Sequence, residues 1–149
     1  MDIKSAEARS RNMSHIRSRD TTAEVYVRHL LFRRGFRYRI APKDIPGKPD
    51  LWFPGKKAAA FVHGCFWHRH EGCKLAYMPK SSVDFWEKKF RSNVARDAEV
   101  KHLLSDQGIR CLVIWECTIR KMKKDEAFEE QMADEMVRFL MSDTAFEEM

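Results

Sequence analysis

The sequence predicts a single α/β domain, in which helices flank a mixed central β-sheet. The chain has 149 residues, 44% of them hydrophobic, which is enough for one hydrophobic core. Residues 109–115 form a continuous apolar run of strand length, typical of a strand that is buried on both faces. Segments with helical spacing alternate with short apolar runs, so the expected order of elements is α-β-β-β-α-β-α.

The first half of this domain is expected to hold one helix and three short strands. Residues 21–24 match a capping box, so a helix begins there, and Gly35 ends it. Apolar and arginine side chains alternate over residues 36–40, which predicts a strand with one exposed face. Residues 50–53 and 58–62 are two further short apolar runs separated by a Pro-Gly turn, which predicts a β-hairpin.

The second half is expected to hold two helices around the buried strand. Periodic apolar side chains predict a long helix over about residues 82–105 and a last helix over about 125–141. Residues 1–20 are polar and rich in arginine, with little apolar surface to join a core. We therefore expect residues 1–20 to form an N-terminal arm and residues 21–149 to form the folded domain.

Charge is distributed unevenly along the chain. Residues 124–149 carry nine acidic and two basic side chains, a local charge of −7. Because the formal net charge of the whole chain is +6, residues 1–123 carry +13. A body this basic suits a polyanion such as nucleic acid, although a solvated basic surface has the same composition.

Cellular location can be predicted from what the sequence lacks. No apolar run approaches the roughly 18 residues of a membrane-spanning helix, and the N-terminus has no signal-peptide core. We therefore expect a cytoplasmic protein without a membrane partner. Thiols stay reduced in that compartment, so the four cysteines are expected to be metal ligands or free thiols.

Soft metal ligands are concentrated in one segment of eleven residues. Residues 63–73 contain Cys65, Cys73 and three of the six histidines of the chain. Thiolate and imidazole are the ligands that Zn²⁺ prefers, so the clustering predicts a tetrahedral structural zinc site. Buried free cysteines are the alternative.

The remaining two cysteines compete for a place in this site. Cys111 and Cys117 lie on either side of a predicted strand and are up to ~20 Å apart, so both cannot bind one ion. Cys117 follows the end of the strand, where loops meet. We therefore predict Cys65, Cys73 and Cys117 as ligands, completed by a histidine, with His70 lying between the first two cysteines.

A second site, for a hard metal ion, is expected at the end of the hairpin. Asp50 opens the first strand, and Val62 and His63 close the second. Adjacent antiparallel strands bring these ends together, so the Asp50 carboxylate, the main-chain carbonyl of Val62 and His63 can share one site. Carboxylate and carbonyl oxygens suit Mg²⁺, and a histidine beside them can take a proton or stabilise a phosphate.

Each of these residues also has an ordinary structural interpretation. Glu24 can be the third residue of the capping box rather than part of a site, and His63 and His68 can be plain loop histidines. The spacing around Asp50 resembles the PD…(D/E)xK nuclease pattern, with residues 61–63 in place of (D/E)xK. That pattern is weak by itself, because Pro-Asp before a hairpin is common.

Seven segments in order carry a resemblance to a known family: Arg11-Asn12-Met13-Ser14-His15-Ile16-Arg17-Ser18-Arg19-Asp20-Thr21, Pro46-Gly47-Lys48-Pro49-Asp50, His63-Gly64-Cys65-Phe66-Trp67-His68, Phe85-Trp86-Glu87-Lys88-Lys89, Asn93, Arg96-Asp97 and Val113-Ile114-Trp115-Glu116-Cys117. Together they cover about residues 8–120. The chain resembles the very short patch repair endonucleases, which are bacterial T:G mismatch endonucleases with a restriction-endonuclease-like fold.

The resemblance implies Mg²⁺-dependent nicking of one DNA strand beside a T:G mismatch that arises from deamination of 5-methylcytosine. It implies that Asp50 is the essential Mg²⁺ ligand and His68 the catalytic histidine, supported by Glu24 and His63. It also implies that Cys65, His70, Cys73 and Cys117 hold the structural zinc.

The same resemblance implies how DNA and other partners are bound. Phe66, Trp67 and Trp86 match an aromatic wedge that enters the duplex from the major groove, although Trp86 can instead be a core residue. Met13 and Ile16 match an N-terminal segment that enters from the minor groove, and such wedges deform the duplex. A monomer in the bacterial cytosol or nucleoid, with mismatch-repair proteins as partners, is the family expectation.

Two departures from the family pattern bear on these expectations. Val62 stands where the family often has Thr, which leaves a main-chain carbonyl but no hydroxyl. The segment His70-Glu71-Gly72-Cys73 is not the histidine-rich run of some members, so Arg69 and Glu71 are expected to be exposed loop residues. Two rival functions remain, a nuclease that cuts matched DNA and a zinc-dependent DNA-binding module without activity.

Overall fold

The computed structural model describes residues 21–149, which form four α-helices and four β-strands. The predicted arm over residues 1–20, with Met13 and Ile16, lies outside the described residues. The helices are α1 (Thr22–Arg33), α2 (Val83–Asp106), α3 (Glu116–Lys124) and α4 (Glu126–Leu140), and the strands are β1 (Leu51–Phe53), β2 (Ala58–His63), β3 (Arg110–Trp115) and β4 (Phe146–Glu148). Over residues 21–149, none of the helices combines the length and apolar character needed to cross a bilayer.

The four strands form one mixed sheet in the order β1-β2-β3-β4. Strands β1 and β2 are the predicted antiparallel hairpin, with Leu51 opposite Ala60. Strands β2 and β3 are parallel, with His63 opposite Trp115, and β4 pairs in parallel with the other side of β3. Because β2 and β3 end at the same level, the loops that follow them leave from the same edge of the sheet.

Helices cover both faces of this sheet, which confirms the predicted α/β class. Alternate side chains of β3 point to opposite faces. Leu112 and Ile114 join the core cluster that includes residues of α1, α3 and α4, whereas Cys111 and Val113 join the cluster that includes Leu104 of α2. The apolar run of β3 is therefore buried on both faces, as its sequence predicts.

Helix α1 begins at the predicted cap. The Thr21 hydroxyl accepts a hydrogen bond from the amide N–H of Glu24 at 3.2 Å, which satisfies one of the free donors of the first turn. Val27, Leu30 and Leu31 form the buried stripe that packs the helix onto the sheet. Gly35 follows the helix with a φ of +93°, a conformation that glycine adopts without strain.

The predicted strand over residues 36–40 is wrong. The only pairing there is a single antiparallel bridge between Arg39 and Trp52. Tyr38 packs its ring edge-on against Phe53, so the alternation of apolar residues reflects real burial. The segment does not continue as a strand, because Ala41 has a φ of +45°, outside the extended region, and residues 40–41 form a bend.

Two elements near the C-terminus were not predicted. Helix α3 has only nine residues, and its buried side chains are Ile119 and Met122 among charged ones. Strand β4 has three residues, two of them glutamates, and is held by backbone hydrogen bonds to β3. Short elements of this kind depend on partners that are distant in sequence, which local patterns do not show.

Candidate active site and metal centre

One edge of the sheet carries most of the residues that the sequence indicates. Strand β2 ends at His63 and β3 ends at Trp115, which lie opposite each other in the parallel pairing. Each strand is followed two residues later by a cysteine, Cys65 after β2 and Cys117 after β3. The parallel register therefore brings two segments that are far apart in sequence into one site.

The structure brings together the four predicted zinc ligands. One ligand atom each from Cys65, His70, Cys73 and Cys117 lies within 4.8 Å of the others. The Nδ1 atom of His70 is 3.5 Å from the Cys65 sulfur and 3.4 Å from the Cys117 sulfur. Tetrahedral zinc with Zn–S and Zn–N bonds of ~2.3 and ~2.0 Å places sulfur and nitrogen about 3.5 Å apart, so the set fits a zinc ion.

Cys111 does not belong to this cluster. It is 5% exposed and packs in the sheet face that α2 covers. Burial raises the pKa of its thiol to about 11, so it is a protonated apolar side chain at neutral pH.

The thiols of the cluster differ in their acidity. Burial raises the pKa of Cys65 to about 12. For Cys73, burial acts in the same direction, but hydrogen bonds from the Leu75 amide and the neighbouring thiols outweigh it and lower the pKa. A bound cation favours the thiolate form of every ligand.

Asp50 and Val62 lie together at the end of the hairpin. The amide N–H of Val62 donates to Asp50 Oδ2 at 2.6 Å. Burial raises the pKa of Asp50 to about 7, and the negative charge of Glu24 adds to this increase. A carboxyl group whose pKa is raised by burial, with a second acid nearby, fits a site for a hard divalent cation.

The loop before Asp50 is held close to the sheet. Gly47 has a φ of +78°, and a Cβ atom at this position would lie 2.5 Å from the Val100 side chain and 3.1 Å from that of Phe61. Only glycine allows this approach. Gly47 therefore fixes the path of the chain that leads into Asp50.

His63 and His68 form a stacked pair on the same edge of the sheet. Their ring centroids are 3.9 Å apart and their planes differ by 4°. Burial, followed by the neighbouring His68, lowers the pKa of His63 to about 4, so His63 is neutral at pH 7.

Sequence reasoning gave no role to Asp97, which completes this pair. The Nδ1 atom of His68 lies 2.6 Å from Asp97 Oδ2, and ligand atoms of His63, His68 and Asp97 lie within 4.8 Å of one another. Asp97 sits on α2, and its only sequence signal was its place in the Arg96-Asp97 motif of the family. A carboxylate on Nδ1 fixes the tautomer and orientation of an imidazole.

Trp115 connects the two clusters. It is 9% exposed, and its ring stacks on that of His70, one of the four predicted zinc ligands. The two ring centroids are 4.1 Å apart and the planes differ by 5°. The edge of the same ring faces His63 at 5.2 Å. The orientation of the His63–His68 pair and the position of His70 are therefore linked through one buried indole.

Glu24 lies at the cap of α1 and also near Asp50. Its amide takes part in the cap of α1, and its side chain is buried, with Arg28 Nη2 at 3.4 Å from a carboxylate oxygen. The same carboxylate is close enough to Asp50 to raise its pKa.

The three predicted wedge residues lie together but differ in exposure. Phe66 and Trp67 are half-buried and line the groove that contains Asp50. Trp86 is only 6% exposed and packs against Phe66 at 5.5 Å, Trp67 at 5.9 Å and Phe90 at 5.5 Å. In this structure Trp86 is therefore a buried ring against which Phe66 and Trp67 pack.

Arg69 is not an exposed loop residue, contrary to the prediction. Its guanidinium donates hydrogen bonds to the carbonyl oxygens of Phe66 at 3.0 Å, Ala76 at 2.8 Å and Tyr77 at 3.1 Å. It also stacks over the ring of Phe90, 3.8 Å from the centroid. The side chain is held because three backbone carbonyls and an aromatic face converge on it, which its loop position did not reveal. Glu71 is exposed, as expected.

A single groove contains the candidate catalytic groups. It has a volume of about 1780 Å³ and is lined by Asp50, His63, His68 and Asp97. Basic side chains also line it: Lys43, Lys48, Arg69, Arg96, Lys101 and Arg120. The lining also includes the acidic side chains of Glu24, Glu71, Glu116 and Glu148. The cationic side chains, next to half-buried carboxylates and histidines, suit an anionic, phosphate-containing chain.

Comparison with known proteins places the chain in a family. The sequence profile of the family described as DNA mismatch endonuclease Vsr matches residues 1–74. The chain is 36% identical over 135 residues to the DNA mismatch endonuclease Vsr of Escherichia coli strain K12, covering 89% of this chain and 86% of that protein. This protein therefore belongs to the DNA mismatch endonuclease Vsr family.

Other relatives have names of a related kind. The chain is 42% identical over 126 residues to the type II nicking enzyme V.XorIIP of Xanthomonas oryzae pv. oryzae, covering 85% of this chain and 92% of that protein. It is 41% identical over 119 residues to the type II nicking enzyme V.NmeAIP of Neisseria meningitidis, covering 80% and 84% of the two chains.

Proposed function

We propose that this protein is a DNA endonuclease that nicks one strand of a duplex beside a T:G mismatch by Mg²⁺-dependent hydrolysis, and so initiates very short patch repair. The observation that carries the proposal is the groove at the edge of the sheet, where Asp50 and the His63–His68–Asp97 cluster lie among basic side chains. The names of the family and its relatives support the same activity.

In this proposal Asp50 and the main-chain carbonyl of Val62 are the protein's ligands for the catalytic Mg²⁺, and Glu24 supports the water network around it. The ion, when bound, supplies charge stabilisation at the scissile phosphate. Burial of Asp50 supports this role, because a half-buried acid with a pKa of about 7 gains most from a nearby cation.

His68 is the group that takes a proton from the attacking water. Its Nδ1 is engaged by Asp97, which leaves Nε2 free to accept a proton. Charge then develops on the imidazole, and the Asp97 carboxylate stabilises it. His63 is neutral beside this pair, and it orients the phosphate without adding a second positive charge to the stack.

Cys65, His70, Cys73 and Cys117 hold a structural zinc ion in the same proposal. The donor atoms have the chemistry and separation of a closed tetrahedral site, with no position left for substrate. The zinc ties the loop after β2 to the end of β3 and carries no catalytic step.

DNA is bound by the basic groove and by aromatic side chains beside it. Phe66 and Trp67 enter the base stack from the major groove of the DNA, with Trp86 packed against them. The arm over residues 1–20 contributes Met13 and Ile16 from the minor groove. The protein acts as a monomer in the bacterial cytoplasm, alongside mismatch-repair proteins. The mixed sheet with Asp50 at its edge supports the restriction-endonuclease-like architecture.

The first test is nicking of a panel of duplexes that contain T:G pairs in different sequence contexts, each paired with its matched duplex. We expect Mg²⁺-dependent cuts at one strand beside T:G only. Asp50→Asn should retain duplex binding but lose nicking by at least ~10²-fold, since an amide cannot replace the anionic ligand.

A second candidate function is a nuclease that nicks matched DNA, since two relatives are named as type II nicking enzymes and their names mention no mismatch. Equal cutting of matched and T:G duplexes would support that candidate and contradict ours. Binding without any Mg²⁺-dependent nicking would instead leave a zinc-dependent DNA-binding module. Wild-type rates for Asp50→Asn would mean that the active site lies elsewhere.

A further inference from the structure

Exposed aromatic side chains surround the predicted wedge. Tyr77 is 62% exposed and its ring lies 5.0 Å from that of Phe66, at an angle of 39°. Phe85 is 60% exposed and packs on Trp86 at 5.2 Å. Apolar rings left in water usually mark a contact surface when they lie together.

Tyr77, unlike Phe85, lines the same groove as Asp50 and His68. Its ring is therefore continuous with the surface that the proposed function assigns to DNA. The groove also carries the basic side chains that suit a phosphate backbone, so a nucleic acid fits this surface better than an apolar protein partner.

The backbone that carries Tyr77 is fixed in place. Arg69 donates from Nη1 to the carbonyl oxygens of Phe66 and Tyr77 and from Nη2 to that of Ala76. The Arg69 guanidinium is itself stacked on Phe90 at 3.8 Å. One side chain therefore joins the segment of Tyr77 to the loop of the predicted wedge.

A ring that is already ordered loses little conformational entropy when it stacks on a ligand. Tyr77 has few rotatable bonds, its carbonyl is held by Arg69 and its ring is tilted against that of Phe66, while most of its surface remains exposed. This is the state expected of a stacking residue before its partner arrives.

We propose that Tyr77, positioned by Arg69 and Phe66, is a further DNA-contact residue that stacks on a nucleobase at the step opened beside the mismatch. This inference rests on the proposed function, because it takes duplex DNA as the occupant of the groove. Stacking on an aromatic side chain is worth ~1–3 kcal/mol per base, which corresponds to a change in affinity of roughly 5- to 150-fold.

The test measures binding of a labelled T:G duplex by fluorescence anisotropy, without Mg²⁺ and at fixed salt. Tyr77→Ala is expected to weaken binding within that range, and Tyr77→Phe is expected to stay within twofold of wild type. Tyr77→Leu keeps apolar contact with Phe66 but loses the aromatic face, so it should resemble Tyr77→Ala. The slope of log K against log salt should not change, because no phosphate contact is removed.

Phe32→Ala is the matched control, since Phe32 is 51% exposed and does not line the groove. It should leave binding unchanged, and thermal melts should show that every variant folds. Affinity within twofold of wild type for Tyr77→Ala, or an equal loss in Phe32→Ala or Tyr77→Phe, would overturn the inference. Wild-type nicking on the same duplexes reports the proposed function separately.

Discussion

At the residue scale, the hydrogen bond between His68 and Asp97 joins two residues from different elements into one unit. His68 lies in the loop after β2 and Asp97 on α2, with 2.6 Å between Nδ1 and Oδ2. Such a pair acts as one unit in catalysis, because the carboxylate works only by orienting the imidazole and stabilising its charged form. The rate losses caused by substitutions at the two positions should therefore not be additive.

We expect His68→Ala to lower the rate of nicking by ~10²-fold or more, and Asp97→Asn by a smaller but clear factor. The double variant should be no slower than His68→Ala alone, since Asp97 has nothing left to orient. Single-turnover nicking of a T:G duplex measures all three rates. Multiplication of the two single losses would mean that Asp97 acts independently of His68.

The residue types of the site could be predicted from sequence, but their partners could not. The proposed zinc ligands Cys65, His70 and Cys73 lie close together in the chain, and Asp50 and His63 lie at neighbouring ends of paired strands. Asp97 lies 29 residues from His68, and only the packing of α2 on the sheet brings them together. The partners of Arg69 do not follow from its position in the chain either, since its carbonyl acceptors come from two separate turns.

The connection between β2 and β3 is the central feature at the scale of elements. The strands are paired along their length, and their ends are joined again by Cys65 and Cys117, with the Cys117 amide donating to the Cys65 sulfur at 3.4 Å. A zinc ion in this cluster adds folding free energy, because the unfolded chain holds no such site.

Removal of a zinc ligand should therefore destabilise the whole domain. We expect Cys73→Ser to lose zinc and to lower the melting temperature by about 10 °C or more. Cys111→Ala is the matched control, since that cysteine is buried away from the cluster, and it should keep its zinc. Metal analysis with thermal melts decides, and release of zinc by Cys111→Ala would show that the ligand assignment is wrong.

Elements with their own periodicity could be predicted, whereas those that depend on distant partners could not. Helix α2 and the buried strand β3 follow from apolar spacing alone. Strand β4 carries two glutamates and exists because the open edge of β3 offers hydrogen bonds, such as that from the Met149 amide to the Val113 carbonyl. The segment at residues 36–40 has strand periodicity but only one bridge.

At the scale of the whole molecule, the last helix α4 and the proposed DNA-binding groove differ in charge. The acidic side chains of α4 lie on a helix whose buried face packs in the core, whereas basic side chains line the groove. Nonspecific binding should therefore depend on the groove and weaken as salt rises.

Neutralising Lys43 and Lys48 tests whether nonspecific DNA binding depends on the groove. Lys43→Gln with Lys48→Gln should reduce the slope of log K against log salt by about two for matched duplex, if each lysine meets a phosphate. The ratio of affinities for T:G and matched duplex should stay constant, because phosphate contacts carry no mismatch information. Lys124→Gln, outside the groove, is the control, and an equal effect there would point to general charge rather than the groove.

The positions of the four proposed zinc ligands along the chain determine when each becomes available during synthesis. Cys65, His70 and Cys73 lie within one loop, but Cys117 is 52 residues after Cys65. At ~5–20 residues per second, a chain under synthesis presents the first three ligands for roughly 2–9 seconds before the fourth exists. The proposed ligand set would then leave an open, three-ligand site in the nascent segment during that interval, which would let zinc enter early. The ion would become enclosed only when β3 has been made and has paired with β2.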